Sequence, residues 1–285
     1  MAIRPIKRLI RATPTLEGAG VHLQRVFGFG DTSVFDPFLL LDDFRGDRPQ
    51  DYRAGFPWHP HRGIETITYV LAGTVEHGDS MGNRGEISSG DIQWMTAGGG
   101  IIHQEMPRGD HNGRMYGFQL WANLPATQKM TAPRYQGVNA ADIPVVASVD
   151  GTEVRVVCGR FENTSGPVQG VAADPSYFDI RVQPGKKTSF PVAPDHHVFV
   201  YVFEGKGVFS GTQALENRQL ALFGDGDEIT VEAGAEGVRF LLVSGKPLRE
   251  PVAWRGPIVM NTQAEIREAF QELENGNFLK RMSNR

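Results

Sequence analysis

The chain alternates short runs of β-branched and aromatic residues with turns that carry glycine or proline. Its 285 residues include 34 glycines and 18 prolines, which are spread along the sequence without a collagen-like period. Because glycine and proline interrupt strands and form turns, this distribution predicts many short strands with tight connections. We therefore expect an all-β fold, with strands near residues 65–71, 90–95, 116–121, 177–182, 197–203 and 238–243.

The two halves of the chain repeat one pattern of strands and turns. In the first half a strand ends at Gly73 and, after a hairpin, Gly90 opens the next strand. In the second half the corresponding turn positions are Gly205 and Gly224. This repeat indicates a diverged duplication of one β-barrel, with the join near residues 130–150. We expect two tandem barrels packed together, the first over 1–135 and the second over 136–285, where the chain ends in a short helix.

The helix is predicted from a start signal and an apolar stripe. Thr262 can cap its first turn, and Glu265, three residues on, completes a capping box. Gly276 is a suitable end. Apolar residues then recur at helical spacing, which predicts a face that packs on a core: Ile266, Ala269, Phe270 and Leu273.

Composition excludes several classes of function. The net charge of −4 argues against a basic face that binds nucleic acid directly. No apolar run approaches the roughly 20 residues of a membrane-spanning helix, and the amino-terminal segment lacks the apolar core of a secretory signal. A single cysteine, Cys158, permits no intramolecular disulfide, which fits a reducing compartment. We expect a cytoplasmic protein.

Histidines and carboxylates occur at i, i+2 spacing in two places of the first half. His59 and His61 precede a predicted strand, and His103 and Glu105 follow a glycine triplet. Because side chains alternate along a strand, the members of each pair point to the same face. Glu65 joins the first pair if that strand stays regular. Since a hairpin lies between the two pairs, they can converge inside a small barrel.

Three imidazoles and one carboxylate form a ligand set that suits a divalent transition metal. Such a set leaves coordination positions open, and substrate and dioxygen would occupy them. The absence of thiolate ligands argues against a closed structural zinc site.

The remaining histidines are interpreted as structural. His77 and Asp79 share strand parity, but they lie at a hairpin tip, where we expect solvent exposure. His196 and His197 are adjacent and so face opposite ways on a strand. The second barrel is therefore predicted to bind no metal.

Longer motifs surround these residues. They are DPFLLLDDF at 36–44, HPHRGIET at 59–66, GDIQWMTAG at 90–98, IHQE at 102–105 and GPIVMNT at 256–262. In these motifs the chain resembles the pirin family, which belongs to the cupin superfamily and has two β-barrels in tandem (a bicupin with jelly-roll barrels). The resemblance runs nearly from end to end, and the motifs are specific.

The resemblance implies an iron site, Fe(II), with copper, manganese, nickel or zinc as alternatives. It implies Glu105 as the ligand carboxylate and Glu65 as a nearby group, and either carboxylate could accept a proton from the substrate. It further implies quercetin 2,3-dioxygenase activity, in which dioxygen opens a flavonol-like substrate. The ligands that the resemblance implies are His59, His61, His103 and Glu105.

Two other functions use the same ligand set. Some pirins are described as transcriptional cofactors or as regulators of metabolic enzymes, which implies a metal-bound, redox-sensing protein with a regulatory protein partner. A metal-dependent isomerase or another cupin enzyme is the other alternative, since fold and metal do not fix the reaction.

Overall fold

The computed structural model describes residues 2–280 and divides them into two units. The first unit contains Pro14–Ala140 and 248–280, and the second contains 2–13 and Ala141–Pro247. Strands dominate both units, which confirms the all-β prediction. In chain order the strands and helices are β1 (Ile6–Arg11), β2 (Thr13–Glu17), β3 (Val21–Phe27), α1 (Thr32–Phe35), β4 (Phe38–Asp43), α2 (Pro49–Tyr52), β5 (Phe56–His61), β6 (Ile64–Ala72), β7 (Thr74–Asp79), β8 (Arg84–Ile87), β9 (Ile92–Thr96), β10 (Ile101–Arg108), β11 (Tyr116–Asn123), β12 (Arg134–Val138), β13 (Val145–Ala147), β14 (Glu153–Cys158), β15 (Arg160–Phe161), β16 (Thr164–Ser165), β17 (Ser176–Val182), β18 (Lys187–Pro191), β19 (His197–Phe209), β20 (Gln213–Glu216), β21 (Gln219–Phe223), β22 (Glu228–Gly245), β23 (Ala253–Arg255), β24 (Ile258–Met260) and α3 (Gln263–Glu274).

The first unit contains two large antiparallel sheets and the two-stranded sheet β23-β24. The larger has seven strands in the order β12-β9-β6-β11-β4-β3-β2, and the smaller has four in the order β5-β10-β7-β8. Hydrogen bonds do not close these described strands into one continuous barrel. At the centre of the larger sheet, Ile67 and Leu120 are cross-strand partners with no exposed surface. Apolar cross-strand pairs of this kind stabilise the sheet by burial.

The second unit is organised around two long strands, β19 and β22. They pair along most of their length in a nine-stranded sheet, and register shifts near Gly205 bend the pairing. Gly205 has a φ of +68°, and a Cβ there would lie 2.2 Å from the carbonyl oxygen of Gly237. Glycine is therefore required where the two strands bend.

The amino-terminal segment belongs to the second unit and the carboxy-terminal segment to the first. The bounds of the units therefore differ from the expected 1–135 and 136–285. Strand β1 pairs with β21 and so belongs to the second unit. The segment from residue 248 onward packs on the first unit, where Val259 joins a core cluster with Ile64 and Ile101. The chain passes from the first unit to the second between Ala140 and Ala141.

Helix α3 begins with the predicted cap. The Thr262 hydroxyl accepts a hydrogen bond from the Glu265 amide at 3.2 Å, and the Thr262 amide donates to the Glu265 carboxylate at 2.7 Å. Ile266 and Ala269 are buried, so the apolar stripe packs on the core of the first unit. No helix within residues 2–280 has the length and apolar character to cross a membrane.

Candidate metal centre

Three histidines converge in the first unit. Strands β5 and β10 pair so that His59 lies opposite His103, while His61 lies one i, i+2 step from His59 on β5. One ring nitrogen from each histidine lies within 4.8 Å of those of the other two. His61 and His103 are 1% and 2% exposed, so the cluster faces the interior.

The hydrogen bonds of His59 and His61 fix which nitrogen faces the cluster. The Nδ1 of His59 lies 2.8 Å from the carbonyl oxygen of Pro57, and the Nδ1 of His61 lies 3.2 Å from that of Pro257. A carbonyl oxygen only accepts, so each Nδ1 carries the proton and each Nε2 has a lone pair when the ring is neutral. The two Nε2 atoms lie 3.0 Å apart, so two lone pairs face each other.

Burial keeps all three rings uncharged at neutral pH. It lowers the pKa of His59, lowers the pKa of His61 well below its ordinary value, and lowers the pKa of His103 to about 3. The neighbouring histidines add to the pKa shifts of His61 and His103. Neutral imidazole is the form that binds a metal.

The cluster fits a divalent cation. Both ring nitrogens of His103 are buried without a hydrogen-bond partner, an arrangement that costs free energy unless a ligand is bound. A cation between the Nε2 atoms of His59 and His61 would also relieve the contact of their lone pairs. The three histidines could therefore hold a metal ion.

Glu105 lies beside the histidines. One of its carboxylate oxygens, Oε2, is 4.0 Å from Nε2 of His103. The other, Oε1, accepts a hydrogen bond of 3.2 Å from the Thr68 hydroxyl, and Gln119 donates a further one to the carboxylate. Burial raises the pKa of Glu105 to about 7, although these two hydrogen bonds lower it.

Thr68 and Gln119 belong to a polar row that crosses the larger sheet. Thr68 and Gln119 are cross-strand partners, and the row continues to Asp42 and Arg25 on one side and to Gln93 on the other. The sequence motifs did not reveal this row. Its signal was a polar residue at the centre of otherwise apolar runs, as in FQLW around Gln119.

Glu65 does not join the histidines. Its parity on β6 places it on the opposite face from Thr68, and its carboxylate accepts a 2.7 Å hydrogen bond from the Thr96 hydroxyl. The strand does not stay regular between His61 and Glu65, because Gly63 adopts a φ of +77° in the turn from β5 to β6. The condition under which Glu65 would join His59 and His61, a regular strand from His61 to Glu65, is therefore not met.

The expectation that His77 and Asp79 are exposed to solvent is wrong for Asp79, which is buried, while His77 is half-buried. Asp79 is 6% exposed and accepts hydrogen bonds from the amides of Met81 and Asn83. The Nε2 of His77 lies 2.9 Å from Nε2 of Gln93, so this ring ends the polar row.

The interior of the second unit is apolar. Phe240 makes edge-to-face contacts with Phe190 and Phe209 at centroid distances of 5.9 and 5.2 Å. Within residues 2–280, His59, His61 and His103 form the one group of three or more potential ligand side chains close enough for a metal.

A cavity of about 600 Å³ opens next to the cluster. His59, His61 and Glu105 form part of its wall. Trp121 packs its ring edge-on against His61 at 5.1 Å between centroids, and Trp254 lies 5.9 Å from Trp121. A flat aromatic molecule could therefore pack against these rings and reach the cluster.

Two family models match the chain over its two halves. They are Pirin, over residues 20–122, and the Pirin C-terminal cupin domain, over 177–279. Both domains are thus of the cupin type, as the sequence motifs predicted. All three clustered histidines and Glu105 lie inside the first match.

Similar proteins cover nearly the full length. A pirin-like protein of Caulobacter vibrioides is 45% identical over 98% of this chain and 100% of its own. Pirin-like protein 2 of Arabidopsis thaliana is 39% identical over 96% of this chain and 85% of its own. A crystal structure of quercetin 2,3-dioxygenase from Acinetobacter baumannii is 34% identical, covers 97% of this chain and 99% of its own, and superposes with a TM-score of 0.90. With two matching family models and relatives that match nearly its full length, this chain belongs to the pirin family.

Proposed function

We propose that this protein is an iron-dependent dioxygenase that opens a flavonol such as quercetin with dioxygen. The observation that carries the proposal is the 3.0 Å approach of the His59 and His61 Nε2 lone pairs in the wall of an aromatic cavity. The family relation to a protein named quercetin 2,3-dioxygenase supports the substrate class.

The proposed ligands are His59, His61, His103 and Glu105. Backbone carbonyls hold two of the imidazoles, and contacts of this kind orient metal ligands and fix their tautomers. A bound divalent metal would supply open coordination positions and lower the pKa of a coordinated hydroxyl.

Glu105 is the proposed proton acceptor. Its carboxyl group lies both in the cavity wall and beside His103, so a substrate hydroxyl directed at the cluster can reach it. Glu65 faces the other side of β6, and we assign it no role in proton transfer. Trp121 and Trp254 would hold the aromatic rings of the substrate and exclude water.

The test combines metal analysis with turnover. Protein loaded with Fe(II) under anaerobic conditions is mixed with a panel of flavonols, and dioxygen is then admitted while flavonol absorbance and oxygen uptake are recorded. We expect about one iron per chain and coupled loss of flavonol and oxygen.

Matched variants identify the residues. Glu105→Gln should lower turnover by at least about 100-fold, because it removes both a proposed ligand and the proposed proton acceptor, whereas Glu65→Gln should retain turnover. His103→Ala should lose iron and turnover but keep its fold. Iron-loaded protein that leaves every flavonol unchanged would refute the dioxygenase proposal for those substrates.

A further inference from the structure

An ion chain lies in the wall of the cavity away from the histidines. Arg25 donates through Nε and Nη2 to the two carboxylate oxygens of Asp42, at 2.9 and 2.7 Å. Its Nη1 donates to the Glu17 carboxylate at 2.7 Å. The side chains of Asp42, Arg25 and Glu17 are 8%, 27% and 40% exposed, so the chain runs from the interior to the mouth.

Among residues 2–280, the one lysine or arginine in the cavity wall is Arg25, which is already paired with Asp42 and Glu17. The charged side chains of the wall are Arg25 and the carboxyl groups of Glu17, Asp42 and Glu105. Burial raises the pKa of Asp42 to about 6, so Asp42 remains mostly ionised at neutral pH. An anionic group placed near the mouth would meet two carboxylates and a guanidinium already bonded to both. A hydroxyl group could instead donate to either carboxylate.

Exposed aromatic side chains complete the mouth. Phe29 and Trp58 are 70% and 54% exposed, and the ring of Phe29 lies 5.4 Å from that of Trp254. Large exposed rings beside a cavity are suited to stack an aromatic ligand.

We propose that the outer part of this cavity selects flavonols that are neutral and hydroxylated at the end remote from the metal, and rejects anionic conjugates such as sulfates. Glu17 is the specificity-determining residue, because it is the more exposed of the two carboxylates that bind Arg25 and it accepts the hydrogen bond from Nη1. This inference rests on the proposed function, since it places the metal-binding end of the flavonol at the histidines.

The test measures binding without turnover. Protein loaded with redox-inert Zn(II) is titrated in the absence of dioxygen with quercetin, quercetin 3′-methyl ether and quercetin 3′-sulfate, and quenching of tryptophan fluorescence gives each Kd. The ether is the neutral control for size at the substituted position. We expect the sulfate to bind about tenfold more weakly than the ether, as like-charge contacts predict.

Charge-neutral variants connect this difference to one residue. Glu17→Gln should reduce the sulfate-to-ether ratio of Kd at least about threefold, because Nη1 of Arg25 loses its anionic partner. Glu76→Gln is the matched control: Glu76 is also 40% exposed and paired with an arginine, Arg108 at 2.8 Å, but lies outside this cavity. It should leave the ratio unchanged.

The outcomes are distinguishable. Equal Kd values for ether and sulfate, or the same effect from both glutamate variants, would overturn the selectivity and leave the dioxygenase proposal intact. Absence of binding by all three flavonols would overturn both.

Discussion

Gly63, in the turn after His61, gives the sharpest test of how the fold holds the three clustered histidines. Its φ is +77°, and a Cβ at this position would lie 1.9 Å from the carbonyl oxygen of Val259 and 2.9 Å from Cδ of Lys129. The change to examine is Gly63→Ala. The left-handed conformation alone costs an alanine about 1 kcal/mol.

The steric clash adds a larger cost. Real contacts of this kind are longer than 3.0 Å, so the Val259 carbonyl must move by more than an ångström. That carbonyl accepts a 2.9 Å hydrogen bond from the buried ammonium of Lys129, and the Val259 amide donates to the Arg62 carbonyl at 3.0 Å. Loss of such buried bonds costs about 1–3 kcal/mol each, so with about 1 kcal/mol for the backbone conformation we expect a total of about 3–7 kcal/mol.

Gly276→Ala is the control. Gly276 has a similar φ of +71° and also lies in the first unit, but nothing lies within 4 Å of the methyl group that an alanine would add there. This variant should therefore lose only about 1 kcal/mol. Urea unfolding of the metal-free proteins, followed by tryptophan fluorescence, measures both variants. All four tryptophans lie in the first unit, so the signal reports on that unit alone.

The same substitution should weaken metal binding. The displaced strand β24 follows Pro257, whose carbonyl holds the His61 ring, and Gly63 itself lies two residues after His61. Loss of a contact that orients a ligand lowers metal affinity by about 10–100-fold. Chelator competition with Zn(II) measures this. If Gly63→Ala proves no less stable than Gly276→Ala and binds Zn(II) as tightly as the unmodified protein, the reasoning is refuted.

Three further predictions concern the centre and its surroundings. His103→Leu removes two buried nitrogens that have no hydrogen-bond partner, so the free energy of unfolding of the metal-free variant should lie within about 1 kcal/mol of the parent value. The variant should also lose the rise in melting temperature that Zn(II) gives the parent in a thermal scan. A much less stable metal-free variant would contradict this. Thr68→Val should shift the absorption bands of the Co(II)-loaded protein, because it removes the hydrogen bond to Glu105, whereas Thr68→Ser should leave the bands unchanged. Thr66→Val, on the same face of β6, is the control and should cause no shift. An unchanged spectrum in Thr68→Val would show that the bond to Glu105 is unimportant. Burial lowers the pKa of Lys129 to about 7 against 10.5 for an ordinary lysine, so between these pH values the unfolded chain binds a proton that the folded chain has released. The free energy of unfolding should therefore rise with pH above 7, and more steeply than in Lys129→Met; equal slopes would argue against the shift.

Local periodicity predicted the features that depend on neighbouring residues. The i, i+2 spacing placed His59 with His61 and His103 with Glu105, because alternation along a strand is a property of the strand itself. The cap at Thr262 is equally local. The packing position of α3 is not a local feature, since nothing in its apolar stripe specifies which unit it packs on.

Contacts across strands could not be predicted in this way. The bond from Thr68 to Glu105 joins the two sheets of the first unit, and its existence depends on the register of β6 with β11 and on the way the smaller sheet meets the larger. A one-residue change of register would turn Thr68 away from the site. The polar row thus becomes visible only when the sheet order is known.

The turn at Gly63 keeps Glu65 away from the three clustered histidines. Counting by twos from His61 through a regular strand brings Glu65 to the cluster, yet the left-handed residue between them reverses the parity and turns Glu65 toward Thr96. Thr68, three residues further on, then faces the site and binds Glu105 instead. The positive φ of Gly63 therefore places Glu65 and Thr68 on opposite faces of β6. Only glycine can adopt this conformation so close to the Val259 carbonyl.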